Sequence, residues 1–230
     1  MEKILYPVWK PDALDPDAFR ELLLQEVAPA LVQAGVRGLR ISVVDSEVAA
    51  AAGLRQETLG AALDAMLSVW LDSSVYRQEV ESIIAARVAR MDGYLVTESE
   101  PLKSGTAEGE RTSGMAQVVF LQRPERLSEV EWLDIWHGSH TQVAIETQST
   151  FGYRQNVVAR ALTAGAPVID AIIEENFPAA AMTSQQAFFG VSTDEELQAN
   201  LSAMVDSCAR FIDFDKINVV PTSEYLIKQI

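Results

Sequence analysis

Residues 127–148 read LSEVEWLDIWHGSHTQVAIETQ, and residues 151–159 read FGYRQNVVA. Ser128, with Glu131 three positions on, forms a capping box that starts a helix. Trp132, Leu133, Trp136 and Val143 then recur along one face, at about 100° per residue. The strand that follows, Phe151–Ala159, sends Tyr153, Gln155 and Val157 to one side and Arg154, Asn156 and Val158 to the other. A strand at 117–123 precedes the helix. Beyond lie a strand at Ile169–Phe177, a helix at Thr193–Ile212 and a strand opening at Ile217–Val220. The order β-α-β-β-α-β is the ferredoxin-like unit.

The first half of the chain repeats that order. Ile4–Lys10, Leu39–Val44, Leu63–Leu71 and Tyr94–Thr97 read as strands. Helical spacing runs through Phe19, Leu22, Leu23, Val27, Ala30 and Leu31, and again over Ser73–Met91. Leu63-Asp64-Ala65-Met66 aligns with Ile169-Asp170-Ala171-Ile172, and Gly38-Leu39-Arg40 with Gly152-Tyr153-Arg154. Residues 99–115 are rich in Gly, Ser, Thr, Glu and Lys without a hydrophobic period, which marks a linker or mobile loop. The expected organisation is a first ferredoxin-like repeat at 1–98, the linker at 99–115 and a second repeat at 116–230. Each unit covers one sheet face with its helices and leaves the other bare. Two units are therefore expected to form one pseudo-dimeric α+β barrel; two independent ferredoxin-like domains are the alternative.

With 48% hydrophobic and 22% charged residues, the 230-residue chain has the composition of a globular protein with a real core. Its net charge of −15 repels nucleic acid and anionic membranes, so neither is an expected partner. The lone Cys208 cannot form an internal disulfide, which fits a reducing cytoplasm. The opening residues carry no apolar stretch of the signal-peptide kind, and no run approaches the roughly 18 apolar residues of a spanning helix. The expected location is cytoplasmic.

The segment RPERLSEVEWLDIWHGSH, with GYRQNVV and IDAIIEENF after it, resembles the EthD family of dimeric α+β barrel proteins. Arg123-Pro124, Leu127-Ser128, Trp136 to His140, Tyr153 and Asp170 carry the resemblance, which covers roughly 116–230. The first half joins only through the repeat, so the chain looks like a tandem EthD protein. The resemblance implies a superfamily of cofactor-free oxygenases, polyketide cyclases, decarboxylases, isomerases and some haem enzymes. It leaves the reaction open.

Both histidines lie in the opening stretch. On the helical wheel His140 falls within the apolar face, about 40° from Trp136, and His137 at its edge. Val27 aligns with His140, so packing alone does not demand a histidine there. An imidazole titrating near neutrality suits a general acid or base. Tyr153 and Gln155 stand where the first half has Leu39 and Ile41. They are expected to face a pocket, with Asn156 second. Asp170, Ile172 and Glu174 share a face of their strand. Asp170 has a counterpart in Asp64, whereas Glu174 replaces Ser68. Glu174 is the carboxylate expected to orient His140, and Glu175 and Asn176 are expected at the surface.

His140, Tyr153 and Glu174 are thus the expected catalytic residues. Trp132, Trp136, His137, Gln155, Asn156 and Asp170 are the expected substrate-binding residues. His-x-x-His spacing can ligate a metal, but no further ligand cluster accompanies it. No phosphate-cradling glycine motif is present. No metal or cofactor is expected. The functional expectation is a cofactor-independent lyase, isomerase, dehydratase or oxygenase. Its substrate would be a small hydrophobic or aromatic molecule, with His140 as general acid or base. A non-catalytic ligand-binding barrel and a haem protein are the alternatives, and association into a homo-oligomer through the outer faces is left open.

Overall fold

Eight segments with strand character pair into one ring in the computed structural model, which describes residues 1–230. They are β1 (Glu2–Trp9), β2 (Gly38–Val43), β3 (Ala65–Leu71) and β4 (Tyr94–Leu102) in the first half. The second half supplies β5 (Met115–Leu121), β6 (Gly152–Ala161), β7 (Ala171–Phe177) and β8 (Ile217–Lys228). The order is β2-β3-β1-β4-β6-β7-β5-β8, and β8 pairs with β2 to close the barrel. Each half has the same internal order, and the pairings are antiparallel throughout. Closure within one chain leaves the barrel without a free strand edge.

Helices cover the ring from outside. They are α1 (residues 16–33), α2 (Gln78–Ala85), α3 (residues 129–147) and α4 (Asp194–Ala209). Asp15 caps α1, accepting the Ala18 N–H at 2.8 Å, and Ser128 caps α3 in a full capping box with Glu131. Both α1 and α3 widen into a π turn at the same place, Leu23–Val27 and Trp136–His140. Phe19, Leu23 and Val27 therefore stand where Trp132, Trp136 and His140 stand. The strand ends match too: Asp64 accepts the Lys10 N–H at 3.0 Å and Asp170 the Arg123 N–H at 2.8 Å.

Several boundaries differ from the sequence reading. β4 runs to Leu102 rather than stopping at Thr97, because its outer end pairs with β6 across two register shifts. α2 ends at Ala85 rather than Met91, because Arg90 and Met91 pair with Val8 and Trp9. β8 extends to Lys228. Part of the expected linker is tied down: Arg111 donates to the Gly114 carbonyl at 2.9 Å and to Ser223 at 3.1 Å.

Most strands have two buried faces, one toward the helices and one toward the barrel axis; β4 beyond Val96 and the end of β6 are largely exposed. In the first half, Ile4, Leu39 and Val69 face outward and pack on Phe19, Leu23 and Val27. In the second half, Tyr153 and Ile173 face outward toward Trp132, Trp136 and Phe211. The inward face is apolar over part of its length, with Leu5, Met66, Val118, Phe120, Ile172 and Val220. The remainder is charged. Lys3 bonds Glu98, and reaches Glu174 at 2.7 Å. Arg154, fully buried, bonds Glu224, and its Nε lies 3.7 Å from Glu174. Asn156 donates to Glu174 at 3.1 Å and Asn176 to Glu224 at 3.2 Å.

Burial opposes ionisation of Glu174, but Lys3, and then Arg154 and Arg40, outweigh it and hold its carboxyl well below the usual range. Its stabilising contribution is present above the ordinary glutamate value of 4.5 and is lost as pH falls from there toward the lowered folded value. Glu174→Gln leaves Lys3 and Arg154 short of a buried partner. It is expected to lower stability at pH 7 by about 3–5 kcal/mol, read as an earlier urea midpoint; an unshifted midpoint contradicts this account of the barrel interior.

Candidate functional site

The π turn at Trp136–His140 decides which way the α3 side chains point. It releases the Trp136 carbonyl from the regular ladder; the Thr141 N–H and hydroxyl both take it up, the latter at 2.8 Å. Gln155 donates to the same Thr141 hydroxyl at 2.7 Å. β6 is thereby clamped to the bulge. Trp136 and His140, both buried, then face the outer surface of the second-half sheet.

Between that surface and helices α3 and α4 lies a cavity of about 320 Å³. Trp136, His140, Tyr153, Glu175, Cys208 and Phe211 line it, and Leu54 and Gln56 of the first half form part of its rim. The size falls within the range of small-molecule sites. No lysine or arginine lines it.

A polar row crosses its floor. Gln117 on β5 is paired with Glu175 on β7, and Glu175 with Tyr153 on β6. The matching row of the first half is Ile4, Val69 and Leu39, apolar throughout and closed over by α1. The same backbone frame thus carries a filled core in one half and a polar-floored cavity in the other.

Tyr153 accepts a hydrogen bond from Trp136 Nε1 at 3.1 Å, which leaves its own O–H free to donate. Burial, followed by the nearby Glu175, pushes its pKa up, so it stays a neutral phenol. His140 Nδ1 lies 3.0 Å from Ser207 Oγ, which also accepts from Arg210 at 3.1 Å. The Ser207 hydrogen has one acceptor in reach, Nδ1, and this network assigns the proton of the ring to Nε2. Burial, and then Arg210, lowers the His140 pKa to about 4. At neutral pH it is an uncharged ring.

Glu175 is 9% exposed and has neither a hydrogen bond nor an ion pair with the protein. Burial raises its pKa to about 7. Burial, followed by Glu175 itself, also lifts the Cys208 thiol to about 12. The titratable groups sharing the cavity with Glu175 are therefore Tyr153 from β6, His140 from α3 and Cys208 from α4.

The expected site residues divide among several places. His140, Tyr153 and Trp136 meet at the cavity. Gln155 faces the helices but is spent on Thr141. Trp132 is buried above Trp136 and donates to the Phe211 carbonyl at 3.0 Å. His137 is exposed, its ring beside Trp136. Asp170 holds the Arg123 N–H and does not line the cavity. Glu174 and Asn156 point into the barrel, on the opposite side of the sheet from His140, so Glu174 does not orient it. Glu175 and Asn176 are both buried, where the sequence reading put them at the surface. The residues that reading missed are Glu175, Gln117, Ser207 and Arg210. The replacement of Val69 by Glu175 at matching positions was the available signal.

No protein family matches the chain, and no curated protein does. Among solved structures, an anthrone oxidase-like protein matches with a TM-score of 0.56 at 10% identity, over 99% of this chain and 94% of that one. A mutant chlorite dismutase from Candidatus Nitrospira defluvii matches with a TM-score of 0.51 at 11% identity, over 98% and 92%. At this identity the likeness is one of fold. The protein shares with these structures a closed, antiparallel α+β barrel fold. No helix is long and apolar enough to cross a membrane.

A carboxyl whose folded pKa is raised binds its proton more tightly in the folded state. Its favourable share of stability is fully present below the unfolded pKa and is lost as pH rises through the folded one. For Glu175 that window runs from the ordinary 4.5 to about 7. Glu175→Gln is therefore expected to be more stable than the wild type by about 3 kcal/mol at pH 8, but by under about 1 kcal/mol at pH 5. Urea unfolding at the two pH values checks this. An equal difference at both removes the argument that Glu175 is an unpaired buried acid.

Proposed function

We propose that the second-half cavity is the active site of a cofactor-independent enzyme acting on a small hydrophobic or aromatic molecule. The carrying observation is the contrast between two matching frames. Where the first half has Val27, Leu39 and Val69 in a closed core, the second has His140, Tyr153 and Glu175 around an open volume. Buried polar groups without partners cost stability, and a frame that folds with apolar residues has no structural need of them. Perturbed titratable groups in a cleft are what proton-transfer chemistry uses.

His140 presents Nε2–H and Tyr153 its O–H, two neutral donors fit to receive negative charge developing on a substrate oxygen. Trp136 and Phe211 supply apolar walls. The reading includes membership among tandem EthD-like barrels. Its support is the meeting of Trp136, His140 and Tyr153 at one cavity and the matching caps, π turns and strand-end aspartates of the two halves. The fold shared with an anthrone oxidase-like protein agrees with an aromatic substrate.

A ligand-binding barrel without turnover is the second reading; the apolar walls favour it equally, but the unpaired acid does not. A resident haem fits poorly. His140 is the one imidazole on the cavity, and its Nδ1 faces a hydroxyl backed by Arg210. Ligating imidazoles are made more basic by a carboxylate or carbonyl at that nitrogen.

The test is a turnover screen over small aromatic ketones and phenols, followed by variants on any substrate found. His140→Gln and Tyr153→Phe are each expected to lower kcat/KM by about 10²–10³ with the circular dichroism unchanged. Full activity in both variants contradicts the assignment.

A further inference from the structure

We propose that Glu175 is the proton acceptor of this cavity, taking an acidic C–H or O–H proton from a neutral ligand whose oxygen is held by Tyr153 and His140. The inference rests on the active-site reading above and names the reacting group and the ligand class.

Three observations carry it. First, Glu175 is a buried carboxyl with no partner in the protein, open to the cavity and unaccompanied by any lysine or arginine on its walls. A carboxylate kept for structure is paired, as Glu174 and Glu224 are on the other face of the same barrel. Second, Glu175 stands directly between Tyr153 and Gln117 across three strands. Neighbouring strands lie about 4.8 Å apart, so a planar ligand lying across the row meets an acceptor flanked by donors. Third, His140 is unsuited to be the base. Its Nδ1 is engaged by Ser207, and a ring with a pKa of about 4 accepts a proton poorly at neutrality, whereas a carboxyl near 7 is matched to it.

The step balances without a further reactant. The ligand's C–H or O–H bond breaks and its proton goes to a Glu175 carboxylate oxygen. The electron pair stays with the ligand as an enolate or phenolate, whose oxygen accepts from the Tyr153 O–H and the His140 Nε2–H. One negative charge occupies the cavity before and after, so the apolar walls impose no new cost on the transfer. A ligand that arrives already anionic would put two negative charges together, and Glu175 would have to take up a proton from solvent.

That last consequence is measurable without knowing the natural ligand. The probe is 4-nitrophenol at about pH 8.5, where it is an anion in solution and Glu175 is ionised. Calorimetric titration in two buffers of different ionisation enthalpy counts the protons exchanged on binding. The wild type is expected to take up about one proton per probe bound, and Glu175→Gln none while still binding. Proton uptake unchanged in Glu175→Gln, or absent in the wild type, overturns the proposal but leaves the cavity a binding site. Failure of the wild type to bind the probe, or any neutral phenol in the same titration, overturns the active-site reading beneath it as well.

Discussion

Closure of the ring by the β8–β2 pairing is the constraint on which everything else depends. A closed antiparallel barrel wrapped in helices gives most of its strands two buried faces. Every residue of β3, β5 and β7 is buried. The inward face has to be filled from eight strands at once. Toward one end Leu5, Met66, Phe120 and Ile172 suffice, and toward the other the chain uses charges. Arg40 and Arg154 occupy matching positions in the two halves, while Lys3 and Glu174 break the symmetry and join β1 to β7 across the axis. A buried ion pair of this kind is weak evidence for extra stability, but removing one member is costly.

The outward faces show what two halves of matching strand order permit. Cap position, π turn and strand-end aspartate match in the two halves, so each half has a cleft between helices and sheet. One is packed shut by branched aliphatic side chains. The other has lost that packing to Tyr153, Glu175 and His140 and keeps an open volume. The instability of an unpaired acid is tolerated in one cleft because the rest of the barrel over-determines the fold.

How much of this was legible in the sequence follows from the same constraint. The helix from Ser128 has one face to bury, so its 3.6-residue period groups Trp132, Trp136 and His140 on that face, and the π turn, which the period does not reveal, brings Trp136 and His140 closer into line. Phe151–Ala159 likewise divides at Tyr153 and Asn156 into helix-facing and axis-facing sets. Residues 171–177 do not, because both faces are buried and neither is uniformly apolar. Glu174 and Glu175 look alike in such a strand, and the local pattern alone does not say which of them lies under the helices beside His140. Alternation from Tyr153 and the Val69 counterpart together distinguish them: Glu174 replaces a small polar residue inside the barrel, and Glu175 replaces an aliphatic one under the helices. Ser207 and Arg210, which set the state of the imidazole, lie on α4, where nothing in the local pattern sets them apart from other polar positions.

The central claim is that one carboxyl, Glu175, sits protonatable near neutrality and unpaired beside neutral donors. Its carbonyl stretch, isolated by subtracting the infrared titration of Glu175→Gln from that of the wild type, reports that state directly. The account predicts a protonated carboxyl band that persists at pH 6 and disappears with a midpoint near 7. A midpoint in the ordinary range, at about 4–4.5, contradicts it.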